Sequence, residues 1–230
     1  MSGEASALEL VLAGDPELFA IVRISLIVSL SAVFFSALIG VPFGALIALT
    51  RFPGRETAIV VLNALMGLPP VVAGLLVYLA LSRAGPLGEL GILFTPQAMV
   101  IAQTVLITPI IAALTRQTIE DLWVEYRDEL AAMNVGPARR IATLIWDARF
   151  SLVTTLLAGF GRAAAEVGAV IIVGGNIEGF TRTMTTAIAL ETSKGDLPLA
   201  MGLGMVLIAI VVIVNALAWG ARRVGEQYAG

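Results

Sequence analysis

Apolar residues along this chain of 230 residues fall in long blocks that charged residues do not interrupt. A helix needs about 20 apolar residues to cross the hydrocarbon core of a bilayer. Four blocks without Asp, Glu, Lys or Arg are long enough to do so: Ile24–Thr50, Thr57–Ser82, Leu90–Thr115 and Leu197–Ala221.

A fifth apolar block, Phe150 to Val173, is interrupted only by Arg162 and Glu166. With this block included, the pattern predicts an all-α protein, a polytopic bundle of five transmembrane helices in one domain covering residues 1–230. We expect spans at about 18–49, 57–82, 92–115, 150–173 and 198–220.

The N-terminal tail is acidic and has no Lys or Arg before Arg23, whereas a signal peptide needs a basic start. The first span is therefore expected to stay as an anchor. Asp15-Pro16-Glu17 is typical of a helix start, with Asp15 as the N-cap. Ala5, Leu8 and Leu12 hint at a short interfacial helix before it.

Arginine and lysine residues are divided unequally between the predicted loops, nine on one side and four on the other. Because cytoplasmic loops carry the excess of positive charge, the N-terminus is predicted outside and the C-terminus in the cytoplasm. The nine are Arg51, Arg55, Arg116, Arg127, Arg139, Arg140, Arg149, Arg222 and Arg223.

Composition excludes several classes of function. The chain has no Cys and no His, so Cys/His metal sites and Ser–His or Cys–His catalysis are absent. A net charge of −3 gives no general attraction to nucleic acid, and no Gly-rich Lys-Ser/Thr phosphate loop is present. We expect no catalytic residue, metal or cofactor, and any ATP to be hydrolysed by another subunit.

The long cytoplasmic segment 116–149 predicts two short helices that meet at Gly136-Pro137, the second from about Ala138 to Asp147. Such a knob, at about 127–148, could dock a partner. It could equally be a solvated connection that ends at a C-cap glycine.

Three groups of residues could take part in transport, and each also has a purely structural explanation. Pro69-Pro70 in the second span either makes a packing kink or breaks the helix along a pathway. Arg162 and Glu166, four residues apart on one helix face and about 18 Å into the fourth span, either join helices or face a pathway. The external residues Asn176, Thr183 and Thr185 either bind a passing anion or simply form a loop.

The cytoplasmic segment resembles the "EAA…G" loop of ABC importer permeases, through Ala131-Ala132 and Gly136. The family's Glu position is Leu130 here, with Glu129 one place earlier. The resemblance implies that this loop docks on the ATPase through Glu129, Ala131, Ala132, Asn134 and Gly136.

Other segments are similar to the permeases of the molybdate, sulfate and tungstate group, and together the similarity runs from about Asp15 to Trp219. The stretch from Thr181 to Asp196 resembles the tungstate type most. The remaining segments are Leu68–Gly74, Gly159–Arg162, Glu166–Ala169 and Val173–Ile177.

This resemblance implies a type I ABC importer permease that translocates tungstate across a prokaryotic cytoplasmic membrane. Its expected partners are two ATPase subunits, an extracytoplasmic oxyanion-binding protein, membrane lipid and a second copy of the chain. Molybdate or sulfate transport is the alternative within the class. An ATP-independent ion channel or carrier, or a purely structural membrane subunit, are the alternatives outside it.

Overall fold

The computed structural model describes residues 16–229, except the side chains at 221, 222 and 224–229, and throughout this region the fold is all-helical. The proposed N-cap Asp15 and the proposed interfacial helix at Ala5, Leu8 and Leu12 lie outside the described residues. The helices are α1 Pro16–Leu49, α2 Arg55–Met66, α3 Pro70–Leu81, α4 Pro96–Ala132, α5 Pro137–Asp147, α6 Arg149–Ala164, α7 Gly168–Gly174, α8 Met184–Lys194 and α9 Leu197–Ala229, with a 3-10 turn at Gly88–Leu90.

Among the described residues, three helical stretches are long and apolar enough by themselves to cross a membrane: α1, α4 and the Leu197–Gly220 part of α9. Two further crossings are possible if each of two bent helix pairs counts as one span. The pairs are α2 with α3, bent by 101°, and α5 with α6, bent by 72°.

The second predicted span, 57–82, is two helices rather than one. Helix α2 ends at Met66, and the Gly67 N–H donates to the Ala64 carbonyl. Proline disfavours a helical conformation in the residue before it, and Pro69 stands in an extended conformation with Pro70 as the first residue of α3. The Pro-Pro pair therefore breaks the helix instead of bending it slightly.

Helices α1 and α4 form a parallel pair at the centre of the fold. The Ser36 hydroxyl donates to the Thr104 carbonyl at 3.3 Å, and a Cβ built on Gly44 would lie 2.3 Å from the Ala112 carbonyl oxygen. The chain therefore crosses back between α1 and α4, through α2 and α3. The glycine permits an approach that any side chain would prevent.

The knob predicted at about 127–148 differs from the prediction in its first half. Helix α4 continues without a break from Pro96 to Ala132, so the run before Gly136 is the end of a 37-residue helix rather than a short separate one. The C-terminal residue in the left-handed conformation is Asn134, with φ 51°, and not Gly136. The Val135 N–H donates to the Leu130 carbonyl and that of Asn134 to Ala131, which is a Schellman ending.

The fourth predicted span is also interrupted, and the segment after it, which was predicted to be external, is partly helical. Helix α6 ends at Ala164 and α7 begins at Gly168. In the segment expected to be a loop, α8 begins with a reciprocal capping box between Thr183 and Thr186. Helix α8 then packs with α1 and α9 through Leu18, Ile21, Met184, Ala187 and Leu203.

Candidate functional site

Two helix breaks meet at one place in the fold. A Cβ built on Gly74, in α3, would lie 2.7 Å from the Ala169 Cα in α7. A Cβ built on Gly168 would lie 3.0 Å from Val71 Cγ2. The first turn of α3, which follows Pro69-Pro70, therefore packs directly on the start of α7. Glycine at positions 74 and 168 makes this approach possible.

The charged pair of the fourth predicted span lies beside this junction. Arg162 Nη1 donates to Glu166 Oε2 at 2.6 Å. The Glu166 side chain is 4% exposed and that of Arg162 is 33% exposed. Sequence spacing correctly paired the two residues but placed both on one helix face, whereas Glu166 stands beyond the end of α6. The ion pair therefore joins the last turn of α6 to the break between α6 and α7.

Glu166 also organises the backbone around it. Its Oε1 accepts a hydrogen bond from the Ala169 N–H at 3.0 Å, which satisfies one of the free amides at the start of α7. Its carbonyl oxygen accepts from the Thr185 hydroxyl at 2.7 Å. Glu166 therefore connects three helices. Its Oε2 accepts from Arg162 of α6, its Oε1 from the Ala169 N–H of α7, and its carbonyl oxygen from the Thr185 hydroxyl of α8.

A buried amide lies on the opposite wall, in α4. Gln103 is 2% exposed, and its Nε2 donates to the Ala163 carbonyl at 3.0 Å. Its Oε1 is buried without a hydrogen-bond partner in the described structure. Gln103 shares a narrow crevice with Arg162 and Glu166. A sequence reading could note a polar residue in mid-span but had no signal to connect it with this pair.

Thr183 and Thr185 belong to this region, although their main contacts are internal. The Thr183 hydroxyl accepts from the Thr186 N–H, and the Thr186 hydroxyl accepts in turn from the Thr183 N–H. The two hydroxyls of Thr183 and Thr185 are 3.3 Å apart. Helix capping therefore explains Thr183, whereas Thr185 contacts the backbone of Glu166 directly.

Asn176 is not part of this group, because it lies at the other end of α7. It has a left-handed backbone with φ 50°, and its Oδ1 is buried and lacks a partner in the described structure. The turn it occupies is held by Thr181, which is fully buried, donates to the Gly174 carbonyl and accepts from the Ile177 N–H. Seven residues of helix place Asn176 about 10 Å from Glu166 along the α7 axis.

The predicted docking residues lie together at the opposite end of the molecule. Each of them is exposed: Glu129, Ala131, Ala132, Asn134 and Gly136. Leu130, which stands at the Glu position of the "EAA…G" pattern that this loop resembles, is only 8% exposed and packs with Ala45, Leu144 and Leu152. An apolar residue at this position therefore anchors the knob to the bundle and leaves its neighbours on the surface.

A shallow groove runs across the knob surface. Met133, which is 73% exposed, lines it together with Val135, Pro137 and Ala138. A Cβ built on Gly136 would meet no heavy atom within 4 Å, and the backbone there is extended with φ −69°. Neither space nor conformation within this chain therefore requires glycine at position 136.

A charge cluster holds the helices above the knob. Glu120 of α4 forms ion pairs with both Arg116 of the same helix and Arg55 at the start of α2. Arg55 Nε also donates to the Ile47 carbonyl at 3.0 Å, near the end of α1. Glu120 therefore lies at a junction of three helices, α1, α2 and α4.

The two breaks bring one ion pair together with neutral polar groups. Within residues 16–229, no group of three or more His, Cys, Asp or Glu residues could hold a metal ion. The pair Arg162–Glu166 offers a cation whose charge a neighbouring carboxylate balances, and Gln103 and Thr185 add neutral polar groups. An anion that approaches this place would meet a partly compensated positive charge.

Comparison with known proteins identifies relatives of similar length. The chain is 43% identical to the Haloferax volcanii protein named "Probable anion ABC transporter permease protein", over 89% of this chain and 90% of that one. It is 37% identical to the tungstate uptake system permease protein TupB of Peptoclostridium acidaminophilum, over 96% and 97%. It is 30% identical to the molybdenum transport system permease protein ModB of Escherichia coli K12, over 94% and 98%.

A solved structure of an inward-facing MetNI methionine ABC transporter contains a chain of the same fold, with TM-score 0.70 and 19% identity over 91% of this chain and 98% of that one. Comparison with models of protein families gives no match. The expected type I importer fold is therefore confirmed. Because relatives at 30–43% identity cover nearly the whole length, the chain belongs to the ABC transporter permeases of the anion, tungstate and molybdate group.

Proposed function

We propose that this chain is the transmembrane permease of an ATP-driven importer for tungstate in a prokaryotic cytoplasmic membrane. The observation that carries the proposal is 37% identity to a tungstate uptake permease over 96% of this chain, against 30% for the molybdenum relative. The segment Thr181–Asp196, which resembles the tungstate type, contains α8 and Thr185, and Thr185 contacts Glu166.

The permease catalyses no bond change itself. A separate ATPase supplies the energy, and an extracytoplasmic binding protein delivers the anion. We propose two ATPase subunits and two permease copies, with the N-terminus outside and the C-terminus in the cytoplasm. The excess of positive charge in the loops on the knob side supports this orientation, and the parallel arrangement of α1 and α4 is consistent with one crossing between them.

The knob is the surface that we propose for docking on the ATPase. Its exposed residues are Glu129, Ala131, Ala132, Asn134 and Gly136. Asn134 and Gly136 line a shallow groove, and Leu130 connects the knob to α1, α5 and α6. Movement of a docked partner would therefore reach the ends of three helices directly. The open space at Gly136, unexplained within the chain, supports close approach by another protein.

We propose that the anion passes the junction of the two helix breaks, beside Pro69, Pro70, Arg162, Glu166, Thr183 and Thr185, with Asn176 nearer the outside. Breaks of this kind expose backbone groups that only protein or water can satisfy. Arg162 lowers the cost of bringing a dianion into a region of low dielectric constant. Glu166 keeps the site weak, so that the anion can leave.

The test is reconstitution of the permease with its ATPase and binding protein in lipid vesicles. Binding protein loaded with tungstate should stimulate ATP hydrolysis and anion uptake more than protein loaded with molybdate or sulfate. Equal or greater stimulation by molybdate would assign that substrate instead. Anion flux without ATP would contradict the importer mechanism and favour a channel or carrier.

Arg162→Ala tests the pathway separately. This variant should slow uptake while its complex with the ATPase still forms, because residue 162 is remote from the knob. Arg162→Lys, which retains the positive charge, is the matched control and should retain more uptake. Unchanged uptake in a well-expressed Arg162→Ala variant would remove this residue from the pathway.

A further inference from the structure

An open apolar groove runs between α1 and α4, with a volume of about 570 Å³. Helix α4 supplies one wall, from Pro96 to Val105. The other wall is a line of residues four apart in α1, which are Ile27, Ser31, Phe35 and Ile39. Both helices are long and apolar enough to cross a membrane, so lipid borders this groove wherever no other protein covers it.

The groove has the length and the chemistry of a site for one acyl chain. Ile27 and Ile39 are twelve residues apart, which is about 18 Å of helix, and half of the hydrocarbon core is about 15 Å thick. The Thr104 hydroxyl, one of the few polar groups in the lining, already donates to the Val100 carbonyl at 2.7 Å. The groove therefore offers mainly apolar contact along the depth of one leaflet.

The groove opens on the side of α4 that faces away from α7. Gln97, Ile101 and Val105 line it and share one side of α4, because they are four residues apart. Met99 points to the opposite side and is fully buried, and a Cβ built on Gly174 of α7 would lie 2.8 Å from its Sδ. The groove is therefore separate from the ion pair at the two helix breaks.

A basic residue continues the line of α1 beyond the N-terminal end of the groove. Arg23 stands four residues before Ile27, is exposed, and forms no ion pair with another described residue. Helical side chains lean toward the N-terminus, so the guanidinium extends from the groove toward the membrane surface. An arginine is costly inside the hydrocarbon, whereas its planar fork matches the oxygens of a phosphate.

A polar residue of α4 lies at the same end of the groove. The Ser36 hydroxyl donates to the Thr104 carbonyl, which places these two residues at one level. Counting back seven residues in each of the parallel helices places Gln97 level with Ser29. Gln97 therefore lies about 9 Å farther along the axis than Arg23. Its exposed amide can donate to the ester oxygens of a lipid whose phosphate meets Arg23.

We propose that the α1–α4 groove holds one acyl chain of an anionic phospholipid, with the lipid phosphate on Arg23. This inference goes beyond the proposed function and does not depend on which anion is transported. An anionic headgroup is favoured because a choline or ammonium group would compete with the guanidinium for the phosphate. In a dry contact with a second copy, the guanidinium would lose water without gaining a phosphate.

The phosphate contact is tested by titrating phosphatidylglycerol or phosphatidylcholine into the delipidated, full-length permease in micelles and counting bound lipid by native mass spectrometry. One phosphatidylglycerol should bind per chain. Arg23→Gln should weaken its binding about fivefold, the effect of one basic residue near anionic lipid, and Arg23→Lys should weaken it less. Arg83→Gln is the matched control and should bind as the parent chain, because Arg83 is exposed in the loop after α3 and does not line the groove.

Two results of this titration would overturn the inference. The first is equal binding of phosphatidylglycerol by Arg23→Gln and the parent chain. The second is binding of phosphatidylcholine by the parent chain as tightly as phosphatidylglycerol.

The acyl-chain contact is tested by filling the groove. Val105→Trp places an indole in the groove, where Val105 is 43% exposed, and should abolish phosphatidylglycerol binding. Leu38→Trp should leave it unchanged, because Leu38 is 63% exposed at a similar depth in α1 and does not line the groove. Unfolding followed by helical circular dichroism shows whether both variants fold.

Equal binding of phosphatidylglycerol by Val105→Trp and Leu38→Trp would overturn the inference, since the lipid would then lie elsewhere on the surface. The chain has no cysteine of its own, so Val105→Cys tests a contact between subunits. Disulfide formation between two copies through Val105→Cys would assign the groove to that contact and would also overturn the inference.

Discussion

Glu166 combines an ion pair with a helix cap, and two substitutions separate these contributions. Glu166→Ala removes the carboxylate that receives Arg162 at 2.6 Å and the Ala169 N–H at 3.0 Å. Glu166→Gln removes the charge but retains an amide oxygen that can accept from Ala169. The difference between the two variants therefore measures the cap.

The magnitudes follow from burial. Loss of one partner from a fully buried ion pair costs about 3–5 kcal/mol, but Arg162 is 33% exposed and can turn toward water. We therefore expect about 1–2 kcal/mol for loss of the charge. Loss of a capping side chain costs about 1 kcal/mol. Glu166→Gln should lose about 1–2 kcal/mol of unfolding free energy and Glu166→Ala about 2–3 kcal/mol.

The assay is equilibrium unfolding of the purified permease in mixed micelles, followed by loss of helical circular dichroism. Thr185→Val provides a control, because its hydroxyl contacts the Glu166 carbonyl oxygen and not the carboxylate. Its effect should add to that of Glu166→Gln, provided the backbone does not shift. If Glu166→Gln were as unstable as Glu166→Ala, the capping role would be refuted. If neither variant were destabilised, the ion pair would be irrelevant to stability as well.

Three further predictions rest on a close helix contact, on open space beside a glycine and on two buried hydrogen bonds. Gly74→Ala should cost about 1–3 kcal/mol of unfolding free energy, because the new methyl would lie 2.7 Å from the Ala169 Cα. If this variant lost no stability in the same micelle assay, the close approach of α3 and α7 would be contradicted. Gly136→Val should leave folding unchanged yet reduce ATPase stimulation in the complex, with Gly136→Ala as a milder control; full stimulation would argue against docking there. Thr181→Val should cost about 1–3 kcal/mol through two lost hydrogen bonds, and a thermal midpoint equal to that of the parent chain would refute this.

Several features could be predicted from local sequence because their causes are local. Charge-free blocks of 25 or more residues indicated a membrane protein, and Pro69-Pro70 marked the position of a helix break. The end of a helix before Gly136-Pro137 was also predictable, although the residue in the left-handed conformation is Asn134 and not Gly136. Proline geometry and hydropathy act within a few residues, so no knowledge of distant partners is needed.

The arrangement of the candidate site depended on tertiary structure. The four-residue spacing of Arg162 and Glu166 showed that they could pair, but not that Glu166 stands in a break, caps α7 and receives Thr185. Gln103 lies close to them only because α4 packs against α6. Helix α1 illustrates the general difficulty, since an almost uniformly apolar helix gives no pattern to distinguish its lipid face from its buried face.

By itself, the sequence determined that the chain enters a membrane, that Pro69-Pro70 disturbs the second span and which loop carries the positive charge, but it did not predict the break between α6 and α7. Tertiary structure decided which interruptions meet, because the contact between α3 and α7 depends on small residues 95 positions apart, Gly74 and Ala169. It also decided that Gln103 of α4 lies beside Arg162 and Glu166. Hydrophobicity selects the solvent for a segment, whereas the fit of side chains between helices selects its neighbours.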